Sequence, residues 1–201
     1  MPSPAKINYV NGVVICHGKS EVCLSTFICT NLHLNVKTDA KNKGKNSIQI
    51  TSLNDWLSSP PYKNMKSLLD KYEIETKGKG KNKKLINFKI FAIMDTDDCT
   101  EQQKKDFISG KMFSGHWLSE YIVPIYNVNN LESVLKDSGI MSKKIKNDEK
   151  GSYYEKVFPI NKKPLSDDTL SEVKTFLSKV KSVKNTNIEV FVEYCIELIG
   201  K

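Results

Sequence analysis

Two short apolar runs, each ending in a polar cluster, limit what this chain can fold into. The first, Val13 to Cys16, follows Asn11-Gly12 and runs into His17-Gly18-Lys19-Ser20-Glu21. The second, Leu85 to Met94 (LINFKIFAIM), alternates at first, turns continuously apolar, and ends in Asp95-Thr96-Asp97-Asp98. Apolar runs of strand length suit strands buried on both faces, as in a parallel sheet. Ser20 is a plausible N-cap, and Glu21 to Leu32 reads as a helix with Val22, Leu24, Phe27, Ile28 and Leu32 on its apolar face. The opening unit is therefore strand, glycine turn, helix.

The same reading continues along the chain. His33 to Val36 is expected as a short strand, Thr38 to Asn46 as a loop and Ser47 to Thr51 as an extended segment. Ser52 or Asn54 caps a short helix through Leu57, which Pro60-Pro61 ends, and Asn64 to Tyr72 reads as a helix. Thr100 caps a helix from Glu101 to about Ser109, and Tyr121 to Tyr126 is a third strand. Asn130 caps a helix from Leu131 to Lys136, stopped by Gly139. Met141 to Pro164 is polar and irregular. Two amphipathic helices, Ser166 to Lys181 and Asn187 to Ile199, are expected to pack on each other and on the main domain. The expected fold is α/β, with a mainly parallel central sheet flanked by helices and a C-terminal helical pair. In domain terms this is an α/β domain over 1–140, a linker or docked loop over 141–164 and a helical extension over 165–201.

A chain of 201 residues is long enough for one well-buried core. No run approaches the length a membrane helix needs, and no apolar leader opens the sequence, so a cytoplasmic location without membrane association is expected. The net charge is +8, and every one of the 31 basic residues is lysine. Such a balance favours a polyanionic partner, although an AT-rich coding sequence also yields lysine-rich chains. Without arginine the bidentate contact to guanine is missing, so binding to DNA or RNA is expected to be directed at the backbone. Lys79, Lys81, Lys83 and Lys84 stand in the run KGKGKNKK, which is either a solvated loop or a phosphate-contacting arm. The five cysteines show no zinc spacing and read as free thiols.

In a parallel sheet the chemistry sits at the carboxyl ends of the strands. Both polar clusters fall there. Three carboxylates within four residues repel one another unless something positive joins them. Asp95 and Asp97, two apart on a chain still extended, would point to one face and suit a hard cation such as Mg²⁺ or Mn²⁺. The competing reading makes Asp97 or Asp98 a helix cap and Asp95 a turn residue. If the two strands are neighbours, Glu21 joins the aspartates.

This arrangement resembles the Toprim domain of topoisomerases, primases, and OLD-type and RloB-like nucleases. Its pattern is an apolar strand ending in Glu-Gly-x-x-Asp/Glu, then an apolar strand ending in Asp-x-Asp. Here these are VVICHGKSE and FAIMDTDD, with a further acidic residue, Glu132, at the end of YNVNNLE. The resemblance spans roughly Tyr9 to Gly139. It departs from the pattern at His17, which stands where the family has its first glutamate. The resemblance implies a metal-dependent nuclease: Asp95 and Asp97 would hold one Mg²⁺ or Mn²⁺, Glu21 and Glu132 would complete or support a second, and His17 would act as general acid or base. Lys19, at the helix start, would neutralise the phosphate. Some relatives work with an ATPase subunit, and bacterial or phage defence is a setting the family suggests. The alternative is a module that binds nucleic acid or a partner protein without cleaving it. A phosphotransfer enzyme built on the aspartate cluster is a third class, but Cys99 ends the DxDx[TV]-like loop with the wrong residue.

Other candidates read as structural. His33 lies between leucines, His116 precedes Trp117, and Cys16 is a small core residue. Cys99 sits beside acids that disfavour its thiolate. Neither a complete P-loop nor a G-x-S-x-G elbow is present.

Overall fold

The computed structural model describes residues 7–141, 150–160 and 165–200. Four strands form one parallel sheet: β1 (Gly12–Cys16), β2 (Val36–Asp39), β5 (Lys89–Asp95) and β6 (Ile122–Asn127), in the order β2-β1-β5-β6. A separate antiparallel hairpin, β3 (Thr76–Lys77) with β4 (Lys84–Leu85), precedes β5. The helices are α1 (Lys19–Asn31), α2 (Leu53–Leu57), α3 (Met65–Lys71), α4 (Glu101–Ile108), α5 (Leu131–Asp137), α6 (Lys150–Val157), α7 (Asp167–Val180) and α8 (Glu189–Ile199).

The continuously apolar strands are apolar for the expected reason. Val14, Cys16, Phe91, Ile93 and Ile125 face a core shared with α1, α5, α6, α7 and α8. Val13, Ile15, Ile90, Ala92 and Met94 face a second core, shared with α2, α3 and α4. Side chains alternate across a strand, so a sheet covered on both faces needs apolar residues at every position. The C-terminal pair is part of this core. Phe91 of β5 meets Phe191 and Tyr194 of α8, with ring centroids 5.1 and 4.9 Å apart.

The edge strand β6 carries Pro124, tolerated where no sheet partner needs its missing N–H. Residues 185–187 cover that edge: Asn187 accepts from Tyr126 N–H and donates to the Pro124 carbonyl, and Val128 N–H donates to the Asn185 carbonyl. Hydrogen bonding of this kind protects an otherwise open edge.

Helix α1 starts at Lys19 with Gly18, not Ser20, as its N-cap, because the Glu21 side chain reaches back to Gly18 N–H, and the structure differs from the sequence expectations at four further places. The second strand is Val36–Asp39 rather than His33–Val36, because His33 takes a left-handed φ of 53° and turns the chain after α1. Ile50–Ser52, within the segment expected to be extended, is a 3-10 turn leading into α2. The run Leu85–Met94 is broken at Asn87 (φ 52°), so Leu85 belongs to the hairpin and Lys89 begins the sheet strand. The stretch expected as a linker or docked loop over 141–164 contains α6, which is docked, with Tyr154 and Phe158 buried in the first core. The rest of that stretch, 142–149 and 161–164, lies outside the described residues.

Candidate active site at the carboxyl ends of β1, β5 and β6

From β1 the chain departs through α1 to β2 on one side, while β5 lies on the other side. The carboxyl ends of β1 and β5 thus flank a topological switch point, where parallel sheets open a crevice. A cleft of about 270 Å³ lies there. His17, Gly18, Lys19 and Ser20 line it from the β1 end, Asp95 and Asp97 from the β5 end, and Asn130 and Glu132 from the β6 end. Gly44 and Ser47 close one side and Tyr154 another. A larger groove of about 680 Å³ runs between α1, α6 and α7, but none of the strand-end polar groups line it.

The glycine turn is fixed by its own glutamate. Glu21 is fully buried. Its Oε2 accepts from Gly18 N–H at 2.8 Å and its Oε1 from the Ser20 hydroxyl at 3.0 Å. A carboxylate reaching back to the residue before a helix in this way caps it and complements the positive end of its dipole. Both oxygens are thereby engaged, and Glu21 stands behind the cleft wall. Burial raises its pKa, and His17 offsets part of that rise. The strand end itself is pinned by His17 N–H donating to the Ile93 carbonyl and Ile48 N–H donating to the His17 carbonyl.

Asp95 is 5% exposed. Its Oδ1 accepts from Asn127 Nδ2 and from Leu131 N–H, each at 3.1 Å, leaving Oδ2 for the cleft. Burial, with the neighbouring charge of Glu21, pushes its pKa up to about 9; Glu132 and Asp97 add to the rise, while the Asn127 hydrogen bond opposes it. The expected alternation does not carry through to Asp97. The strand ends at Asp95 and the chain turns at Thr96, whose N–H donates to the carbonyls of Asn127 and Asn129. Asp97 is exposed, yet the turn still leaves it on the cleft rim beside Asp95.

The structure thus gathers His17, Lys19, Asp95, Asp97 and Glu132 around one cleft, with Glu21 buried behind it. Among the described residues no three His, Cys, Asp or Glu side chains converge as a ready metal-ligand group. Lys79, Lys81, Lys83 and Lys84 are elsewhere. Their hairpin leads into the amino end of β5, and its flanks bond to residues at that end: Val10 N–H to the Glu73 carbonyl, Leu85 N–H to the Tyr121 hydroxyl. The cleft is at the opposite end of the strands. His116 also lies away from the cleft. Its ring bonds to the Leu57 carbonyl and to Leu118 N–H, and burial lowers its pKa. Burial raises the Cys16 and Cys99 thiols, as fits inert residues.

Four site residues escaped the sequence reading. Asn127 holds Asp95, and Thr186 donates to Asn127 Oδ1 at 2.9 Å; nothing local in the sequence announces either pairing. Gly44, with φ +83°, lies against the Lys19 backbone. Tyr154 had a signal: Tyr154 and Phe158 stand at helical spacing and stack at 6.1 Å. No family model, no curated protein and no solved structure matches the chain.

Proposed function

We propose that the protein is a divalent-metal-dependent phosphodiesterase of Toprim type acting on nucleic acid. The observation that carries this reading is the burial of Asp95 next to Glu21, behind a cleft that Asp97 and Glu132 also border. Asp95 and Glu21 have hydrogen-bond donors but no ion pair with a lysine among the described residues. Buried carboxylates that raise each other's pKa are unfavourable alone and become favourable beside a divalent cation.

The residues fit Mg²⁺ or Mn²⁺ in a limited sense. Mg²⁺ is commonly held by one or two carboxylates, with water and substrate phosphate filling the other positions. Asp95 and Asp97 are the two, with Glu132 at the border. A divalent cation held by Asp95 and Asp97 would polarise the phosphate and lower the pKa of a bound water. The chain does the remaining work. Lys19 and the N-terminus of α1 bear on the phosphate. His17, on the cleft wall, is the group placed to move a proton. Glu21 keeps the Gly18 turn in shape.

The test is a cleavage assay on single- and double-stranded DNA and RNA with Mg²⁺, Mn²⁺ or EDTA. Cleavage that needs the metal and is lost in Asp95→Ala and Asp97→Ala supports the reading, and metal-dependent cleavage surviving Asp95→Ala overturns it. A second reading, nucleic-acid binding without cleavage, is favoured by His17, which occupies the place of the first glutamate of the Toprim pattern. Salt-sensitive binding with no turnover in any metal would select it.

A further inference from the structure

The mouth of the cleft is built for an anion of a particular kind. Helix α1 has 13 residues, long enough for a developed dipole, and its first N–H groups, those of Lys19 and Ser20, have no acceptor within the helix. Gly44 leaves the Lys19 amide uncovered: a Cβ there would stand 3.1 Å from Lys19 N and 3.0 Å from its Cα. An amide at a helix N-terminus is not a site by itself. The second observation is Tyr154. Its side chain is 1% exposed, it lines the cleft, and its buried hydroxyl has no hydrogen-bond partner. The hydroxyl lies close to Ser20 and Glu132. His17 Nδ1 is likewise buried and unpartnered on the opposite wall. Leaving a buried polar group unsatisfied costs about 1–3 kcal/mol, so two around one small cleft point to a ligand that satisfies them.

The volume limits that ligand. About 270 Å³, walled by residues of five segments, is below the range that holds one drug-sized molecule. A phosphate group with its sugar can enter. A chain end brings a further advantage. A terminal phosphate carries about −1.5 to −2 charges and three acceptor oxygens, against one charge for an internal diester. Those oxygens match donors on several sides: the Lys19 and Ser20 amides, the Lys19 ammonium and the Tyr154 hydroxyl.

Building on the phosphodiesterase reading, we infer that the cleft recognises a terminal phosphate monoester on a nucleoside, entering end-on, and that Tyr154 is the residue of α6 that hydrogen-bonds it. Free nucleotides and strand ends share this chemistry. Asp97 opposes an anion here, so occupancy is expected to need the divalent cation as well.

The experiment is a binding titration of the full-length protein in Ca²⁺, with EDTA as control, read by fluorescence anisotropy. The probes are 3′-labelled single-stranded oligonucleotides ending in a 5′-phosphate or a 5′-hydroxyl, and 5′-labelled ones ending in a 3′-phosphate or a 3′-hydroxyl. A nucleoside monophosphate serves as competitor. The expected result is about tenfold tighter binding of one phosphorylated end over its hydroxyl counterpart. That preference should vanish in Tyr154→Phe, which removes one oxygen and keeps the ring. Because the deleted hydroxyl was unpartnered, Tyr154→Phe should melt at or above the wild-type temperature. Competition by the monophosphate at concentrations near its own affinity would assign the site to free nucleotides, and failure to compete would assign it to strand ends. Equal affinity for phosphate and hydroxyl ends overturns the inference, as does an undiminished preference in a folded Tyr154→Phe protein. Binding is read without turnover, so failure of the cleavage assay leaves this result standing and the two claims separable.

Discussion

Asn127 donates from Nδ2 to Asp95 Oδ1 at 3.1 Å, joining the carboxyl end of the edge strand to the carboxylate at the end of its neighbour. The orientation of this amide is set from behind. Thr186 donates its hydroxyl to Asn127 Oδ1 at 2.9 Å and accepts from Ile188 N–H at 3.1 Å, just before α8. All three side chains are buried. The chain segment over 185–187, far along the sequence from the strand ends, therefore fixes which face of Asn127 meets Asp95. Thr186→Val should leave Asn127 Oδ1 short of a donor and destabilise the protein by about 1–3 kcal/mol. Thr186→Ser should restore most of it. Urea denaturation of the two variants checks this, and a Val variant as stable as wild type would remove the relay from the account.

The raised pKa of Asp95 makes a prediction about pH. A carboxyl whose folded value, about 9, exceeds its unfolded value near 4 binds its proton more tightly in the native state. Stability from this group is therefore fully present below the unfolded value and is lost as pH rises toward the folded one. In EDTA, stability should decline between about pH 4 and 9, by at most about 1.4 kcal/mol per pH unit. Asp95→Asn mimics the protonated carboxyl and should flatten that decline, melting above wild type at pH 8. Melting temperatures across pH 5 to 9 decide it; parallel profiles for the two proteins would mean that Asp95 is ionised in the metal-free fold.

A divalent cation should reverse that trend. It favours ionised carboxylates, so Mg²⁺ or Mn²⁺ at about 100 times its dissociation constant should add about 2.7 kcal/mol. For a chain of this size that is a rise of roughly 5–10 °C in melting temperature at pH 8. Asp97→Asn, at an exposed position, should leave the metal-free melting temperature nearly unchanged and remove most of the metal-dependent rise. Equal rises in wild type and Asp97→Asn would take Asp97 out of the metal site.

What the sequence made legible follows from how local each signal is. The strands of VVIC and KIFAIM were readable because burial on both faces demands unbroken apolar runs, and the caps at Asn64, Thr100, Asn130 and Ser166 because capping is a property of three or four neighbouring residues. The convergence of His17, Asp95 and Glu132 was also legible, since a parallel sheet puts all strand carboxyl ends on one side. Asn127 and Thr186 were not, because a pairing across 59 positions leaves no local pattern. Tyr154 was hidden by the polar residues around it, which made a docked helix look like a linker. The lysine run reads as a solvated loop or a phosphate-contacting arm, and its place in the fold was not legible, because it depends on the Asn87 break that sends the hairpin to the amino end of β5.

That placement separates the hairpin lysines from the phosphate site proposed in the cleft. Lys77, Lys79, Lys81, Lys83 and Lys84 form no ion pairs among the described residues, and all but Lys83 are exposed. Gly78 holds their turn at φ +88°, where an added Cβ would meet the Asn82 carbonyl oxygen at 2.4 Å. Because the cleft is at the other end of the strands, these lysines can reach only phosphates distant from the one in the cleft. Replacing Lys79, Lys81, Lys83 and Lys84 with alanine should therefore weaken binding of long single strands and flatten its salt dependence, by about 0.7 in the log–log slope for each phosphate no longer neutralised. Binding of a dinucleotide, too short to span both ends of the sheet, should be unchanged. The comparison is one titration series over salt concentration for long and short ligands. A loss of affinity shared equally by both lengths would place the lysines at the cleft, against the hairpin position, while unchanged affinity for both would make the run a solvated loop.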